Sequence, residues 1–223
     1  MVRDPRSGLE MILRIDTHIH TVLSGDSSTQ VNQIPSIVRL KGLDGVAITD
    51  HDRFSNYHVE GIIVIPGVEV SAREGHILAF GDVEEISPGL SVDETVRLIH
   101  ERGGLAVLAH PYDVVRGGVK PEMVSERLDG IETINSRANP FILSKHLAER
   151  ASRRLGLPSF GGSDSHTPET IGDAYTCIDS NSRSLEDILT AMRDGRVQAV
   201  GGPTCCMNIL KSAGSNFTRR LRI

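Results

Sequence analysis

Tryptophan is absent from this chain of 223 residues, and aromatic side chains make up only 4% of it. Little is therefore available to stack on exposed bases, which disfavours a long single-stranded nucleic-acid groove. Cysteine is nearly as scarce. Cys177, Cys205 and Cys206 show no framework spacing, and the adjacent pair lacks the spacer of a zinc motif. Three such thiols predict a soluble cytosolic protein that keeps them reduced. No run approaches the ~18 apolar residues of a membrane span, and residues 1–10 lack the apolar core of a secretory signal. Positive charge is also in short supply. The net charge of -5 exerts no global pull on nucleic acid or an anionic membrane, so an anionic substrate would need a local positive centre. Two further absences narrow the chemistry: there is no Gly-x-x-x-x-Gly-Lys phosphate loop and no nucleophile elbow.

What is present is an alternation of strand-like and helix-like segments. Apolar runs near 12–17, 45–49, 62–69, 76–80, 105–109, 130–135 and 158–162 predict seven strands. Between them, Ile34, Ile37, Val38 and Lys41 fit a helix face, and Ser91 with Glu94 forms a capping box before Val96 and Ile99. Pro121 and Leu128 suggest a short helix. Residues 141–155 read as a longer one closed by Gly156, and 184–193 as a last one. Such alternation predicts βαβ units in one α/β domain with a mostly parallel sheet. Residues 1–10 are expected to be a flexible extension, 11–203 the domain, and 204–223 a tail carrying Lys211, Arg219, Arg220 and Arg222.

Aspartate, glutamate and histidine recur where the apolar runs end. The first run empties into Asp16-Thr17-His18-Ile19-His20, and the second into Thr49-Asp50-His51-Asp52. The third leads through Pro66-Gly67 to Val68-Glu69-Val70. Later runs end in Ala109-His110-Pro111 and in Gly162-Ser163-Asp164-Ser165-His166. Residues i and i+2 of a strand share a face, so His18 and His20 can converge on one ion. Imidazole nitrogens and carboxylates suit zinc, iron and manganese, and Glu69 offers a carboxylate able to bridge two ions. Barrel enzymes keep their chemistry at the carboxyl ends of strands, where most of these residues fall.

In order and placement these five motifs resemble the polymerase and histidinol phosphatase (PHP) superfamily, from Ile12 to about Gly201. The resemblance implies a distorted (β/α)7 TIM-like barrel holding two or three divalent ions: Zn²⁺, Mn²⁺ or Fe²⁺, with Mg²⁺ also admitted. It implies a first ion among His18, His20, Glu69 and Asp164, and a second among Glu69, His110 and His76. Asp26, His51 and His166 would form a third site or hold substrate. His76 stands apart because it opens an apolar run instead of closing one. His58, His100 and His146 match nothing in the family pattern.

The expected activity is metal-dependent hydrolysis of a small phosphorylated substrate (a nucleotide, sugar or amino-alcohol phosphate) by a metal-activated hydroxide. Glu69, Asp26, His51, Asp52 and His166 are the catalytic candidates, with Asp26, Asp52 and His166 competing to protonate the leaving oxygen. Arg137, Arg53 and Arg116 are candidate phosphate-binding forks. Trimming of a short oligonucleotide end is the alternative within the same chemistry, whereas an extended nucleic acid is not an expected partner. A non-catalytic metal-binding module is a further alternative, set against the completeness of the ligand set. Carbon–nitrogen hydrolysis is disfavoured because no lysine sits at a strand end.

Overall fold

The computed structural model describes residues 11–205. The N-terminal extension, Cys206 and the basic tail expected from sequence lie outside the described residues. Among those described, no helix is long and apolar enough to cross a membrane.

Among the described residues nine strands form one sheet: β1 (Met11–Ile19), β2 (Gly45–Ile48), β3 (Ile63–Ser71), β4 (His76–Phe80), β5 (Leu105–Leu108), β6 (Gly130–Asn135), β7 (Ser159–Gly162), β8 (Ala174–Ser180) and β9 (Val197–Gly201). Their order is β7-β6-β5-β4-β3-β2-β1-β8-β9. The first seven match the expected runs. The helices are α1 (Ile34–Leu40), α2 (Val92–Glu101), α3 (Phe141–Leu155) and α4 (Leu185–Arg193). At α2, Ser91 Oγ accepts the Glu94 amide at 3.2 Å while Glu94 Oε2 accepts the Ser91 amide at 2.9 Å, the reciprocal cap read from sequence. The helix expected around Pro121 and Leu128 is only a 3₁₀ turn, Pro121–Met123, ended by extended backbone at Val124. Asp93 Oδ1 accepts the amides of Ser125 and Glu126, which holds the following chain out of a helix.

The sheet is less uniformly parallel than expected. Pairs β1–β2, β2–β3, β5–β6 and β6–β7 are parallel, but β4 runs antiparallel to both β3 and β5, and β8 runs antiparallel to β1 and β9. β8 and β9 had no counterpart in the sequence reading. In β8 only alternate residues are buried, and among Ala174, Thr176, Ile178 and Ser180 only Ile178 is large and apolar, so no hydrophobic run marks the strand.

The sheet curls until its edge strand β7 meets β1, β8 and β9 at the opposite end, giving a nearly closed TIM-like α/β barrel. Side chains stitch that seam. Thr17 Oγ1 donates to the Gly161 carbonyl at 3.0 Å, and the Gly161 amide donates to Thr176 Oγ1 at 2.9 Å. A Cβ at Gly161 would fall 2.6 Å from the Tyr175 carbonyl, so the contact requires glycine. Inside, Ala47, Ile65, Leu78, Phe80, Val107 and Phe160 pack on one another and on Ile188, Ala191 and Met192 of α4. Outside, Val92, Val96 and Ile99 of α2 cover Val68, Val70, Ile77 and Ala79, and Ile34 and Val38 of α1 cover Val46 and Ile48. Alternation along β3 sends Val68 and Val70 toward α2 and Ile65, Gly67 and Glu69 to the opposite face. Glu69 therefore continues the interior row.

Phe160 is 1% exposed and stacks on Phe80 with ring centroids 6.3 Å apart. Phe160→Ala should cost about 3–5 kcal/mol of stability, read from the midpoint of a denaturant melt at unchanged slope.

Candidate metal centre

Every strand end that carried an acid or imidazole in the sequence opens onto one rim. His18 and His20 stand at the end of β1, where its register against β2 shifts between Asp16 and Ile19; such irregularities re-aim side chains. His51 follows β2, His110 follows β5, and Asp164 and His166 follow β7. His76 reaches the same rim from the other direction. Because β4 is antiparallel and pairs Ser71 with His76, its first residue lies beside the last of β3. This is why His76 opens its apolar run.

Glu69 lies at the centre and is 1% exposed. Its Oε1 is 3.1 Å from His110 Nε2 and 3.1 Å from His76 Nδ1. Its Oε2 is 3.2 Å from both His18 Nε2 and His20 Nε2, and 3.1 Å from His51 Nδ1. Despite these neighbours, Oε2 has no hydrogen-bond partner. Asp164 Oδ1 completes the first group, 3.5 Å from His20 Nε2 and 3.9 Å from His18 Nε2. Three sets of ligand atoms thus gather: His18, His20 and Asp164; Glu69, His76 and His110; and His20, His51 and His166. Asp26 joins the third, with Oδ2 at 3.0 Å from His166 Nε2 and 3.7 Å from His51 Nε2.

The donor chemistry of this set fits divalent cations. His18 Nδ1 lies 3.0 Å from the Glu132 carboxylate, which can only accept. His20 Nδ1 lies 3.0 Å from Ser24 Oγ, whose own proton goes to Asp50 Oδ1 at 2.9 Å. A neutral ring at either position therefore carries its hydrogen on Nδ1 and turns its Nε2 lone pair toward the other at 3.1 Å. Facing lone pairs beside an orphaned carboxylate oxygen repel one another unless a cation lies among them.

The charges agree. Burial opposes ionisation of Glu69, but His18 and the hydrogen bond from His110 outweigh it and hold the carboxyl well below its ordinary range. Burial is likewise overcome at Asp164, chiefly by Arg116. Burial also weakens the His18 ring as a base, yet Glu69, Glu132 and Asp164 push it well above the ordinary imidazole range. His20 and His76 are raised against burial by their bonds to Asp164 and Glu69. At His51 burial prevails and brings the ring down to about 4. At Asp26 burial yields to the His166 bond, and the carboxyl is lowered. The pocket thus draws positive charge to its carboxylates.

The three arginines fare differently. Arg137 reaches the rim, its Nη1 against His166 Nδ1 and 3.6 Å from Asp164 Oδ1. Arg116 is committed to neighbours: Nε to Asp113 at 2.8 Å, Nη1 to Asp164 Oδ2, and Nη2 to Asn135 at 3.0 Å. Arg53 is not brought to the cluster; it is two-thirds exposed and 3.7 Å from Glu85. Asp52 Oδ1 accepts the Ser71 amide at 2.7 Å and ties down the end of β3. Besides Ser24, two contributors escaped the sequence reading, Glu132 and Asn135. Asn135 Nδ2 donates to Glu132 Oε2 at 2.9 Å and to Asp164 Oδ2 at 3.0 Å. Their one sequence signal was polarity inside an otherwise apolar strand, Gly130–Asn135, all of it buried.

A family model described as PHP-associated matches residues 143–197. An uncharacterized protein of Methanocaldococcus jannaschii, MJ1587, is 31% identical over 166 residues, covering 66% of this chain and 96% of its own. A probable phosphatase of Shewanella piezotolerans is 24% identical over 204 residues, covering 71% of this chain and 80% of its own. Among solved structures, a two-domain Bacteroides vulgatus protein containing a predicted PHP-like metal-dependent phosphoesterase superposes with a TM-score of 0.62 at 18% identity, over 91% of this chain and 69% of that one. Endonuclease Q bound to a 27-mer duplex with an abasic lesion at its active site superposes with a TM-score of 0.61 at 19% identity, over 82% of this chain and 57% of that one.

A Cβ on Gly162 would lie 2.4 Å from His18 Cβ and 2.6 Å from Glu132 Oε1. Gly162→Ala should therefore cost about 1–3 kcal/mol and displace His18. A thermal melt of the metal-free protein checks the first effect, and the loss of added thermal protection by Mn²⁺ checks the second.

Proposed function

The chain belongs to the polymerase and histidinol phosphatase superfamily, and from that premise we propose that it is a metal-dependent phosphoesterase hydrolysing a small phosphorylated molecule. The observation that carries this reading is the convergence of the His18 and His20 Nε2 lone pairs on the unpartnered Oε2 of Glu69. His18, His20, Glu69 and Asp164 would hold a first ion, and Glu69, His76 and His110 a second. Asp26, His51 and His166 would hold a third ion or the substrate. Bound there, divalent ions would supply Lewis acidity, acidifying water and offsetting phosphoryl charge.

The chain's own groups have distinct tasks in this proposal. Glu69 presents one oxygen to each half of the centre. Arg137, about a quarter exposed at the rim, offers its fork to a non-bridging phosphoryl oxygen. The Asp26–His166 pair, hydrogen-bonded at 3.0 Å, is placed to manage the proton of the leaving oxygen, since Asp26 is half exposed while Asp52 is engaged with Ser71. Arg116 steadies Asp164 and takes no part in substrate binding.

The likeness to endonuclease Q favours a second reading, cleavage of a nucleic-acid phosphodiester. The chain spans little more than half of that protein, and its negative charge and scarce aromatics weigh against a long groove.

Protein purified without chelator should contain bound transition metal by elemental analysis and release phosphate from phosphomonoesters when Mn²⁺ is added. Lewis-acid stabilisation of several kcal/mol implies that His18→Ala and Glu69→Ala lower kcat/KM by about 10²–10³-fold. Activity surviving both substitutions would defeat the proposed centre, and chain-length-dependent release of mononucleotides would replace the small substrate with an oligonucleotide. A pH dependence follows as well. Carboxylates hold protons on His18, His20 and His76 to higher pH than on a free imidazole. A cation must displace them, so affinity should rise with pH through neutrality and fall in acid. Calorimetry in buffers of differing ionisation enthalpy reads the released protons; pH-independent binding would contradict the assignment.

A further inference from the structure

We propose that Glu132 is a positioning residue that fixes the metal-binding tautomer of His18 and, with its other oxygen, places His110, so that one carboxylate aligns both halves of the centre. The inference rests on the metallophosphoesterase reading and adds to it a residue outside the expected ligand set. Glu132 lies within β6 and is 1% exposed. Its Oε1 accepts a hydrogen bond from His18 Nδ1 at 3.0 Å, and its Oε2 accepts the His110 amide at 2.8 Å and Asn135 Nδ2 at 2.9 Å. Among the described residues no lysine or arginine pairs with it, so this buried acid has no structural counter-charge of the kind Asp113 and Asp164 find in Arg116.

Its two contacts have different consequences. A neutral imidazole carries one N–H, and an acceptor at Nδ1 holds the hydrogen there and leaves Nε2 free to coordinate. His18 Nε2 is the atom that faces His20, Glu69 and Asp164. His110 has φ of 28°, a left-handed backbone that a non-glycine residue keeps only when its surroundings hold it. The bond from its amide to Glu132 Oε2 supplies that restraint. The approach of Glu132 to His18 further depends on the missing side chain of Gly162, whose Cβ would lie 2.6 Å from Oε1.

Glu132→Gln separates positioning from bulk. The amide has one acceptor oxygen, and two donors, the His110 amide and Asn135 Nδ2, compete for it on the Oε2 side. The new NH₂ is left facing His18 Nδ1. A donor there drives the His18 hydrogen to Nε2, which closes that atom to a metal.

The test is Zn²⁺ titration by calorimetry, together with ¹⁵N NMR of the histidine rings at an alkaline pH where the His18 ring is neutral, on wild type and Glu132→Gln. The expected result is native-like circular dichroism of the metal-free variant, weakening of the tightest Zn²⁺ event by about 10–100-fold, and His18 switching from Nδ1–H to Nε2–H. Unchanged Zn²⁺ affinity and stoichiometry in a variant beside a Zn²⁺-binding wild type would overturn the role of Glu132 alone. A wild type that binds no Zn²⁺ would instead overturn the metal reading beneath it. The wild-type spectrum keeps the idea testable even if the variant does not fold, because His18 found as Nε2–H in wild type overturns it.

Discussion

Glu69 is a buried carboxylate whose two oxygens face two different groups of imidazoles. Oε1 meets His76 and His110, while Oε2 meets His18, His20 and His51. A charge so deep in a protein persists only where opposite charge or donors surround it. The rings that surround it come from β1, β4 and the segments after β2 and β5. Those strands are neighbours of β3 in the sheet, but Asp164 follows the far edge strand β7 and reaches 3.5 Å from His20 only because the sheet curls. The barrel and the centre are in this sense one constraint.

Polar groups also close the barrel at the rim. The Asp164 amide donates to the His18 carbonyl at 2.7 Å, and the Ser163 amide to Asp16 Oδ1 at 2.9 Å. The segment after β7 is thereby joined to the end of β1, and two ligands distant in sequence become neighbours. A further layer holds the ligands in place: Glu132 behind His18, Ser24 and Asp50 behind His20, and Arg116 and Asn135 behind Asp164. Metal sites gain much of their affinity and geometry from such outer contacts. The apolar interior below, from Ile65 to Phe160, gives the polar rim a rigid floor.

Much of this was legible in the order of residues. Seven apolar runs marked β1 to β7, and Ser91 with Glu94 marked the start of α2, because burial and capping are local preferences written in adjacent residues. β8 went unread because a half-buried strand with only Ile178 as a large apolar residue leaves no run. The direction of β4 was equally hidden, and with it the reason for the place of His76. Arg53 and Arg116 looked alike as loop charges. One lies exposed near Glu85 and the other is bound by Asp113, Asp164 and Asn135, a difference set by partners far away in the chain.

From the sequence alone came the kind of chemistry, since the choice of imidazole and carboxylate at strand ends is a property of side-chain types and short spacings. It also determined the alternation of elements that makes an α/β barrel, through periodicities of two and 3.6 residues. What the tertiary structure decided was orientation: which oxygen of Glu69 faces which ring, which nitrogen of His18 is left open, and that Glu132 stands behind it. These depend on contacts such as His18 with Glu132 and Thr17 with Gly161, which join residues more than a hundred positions apart and exist only once the sheet has closed.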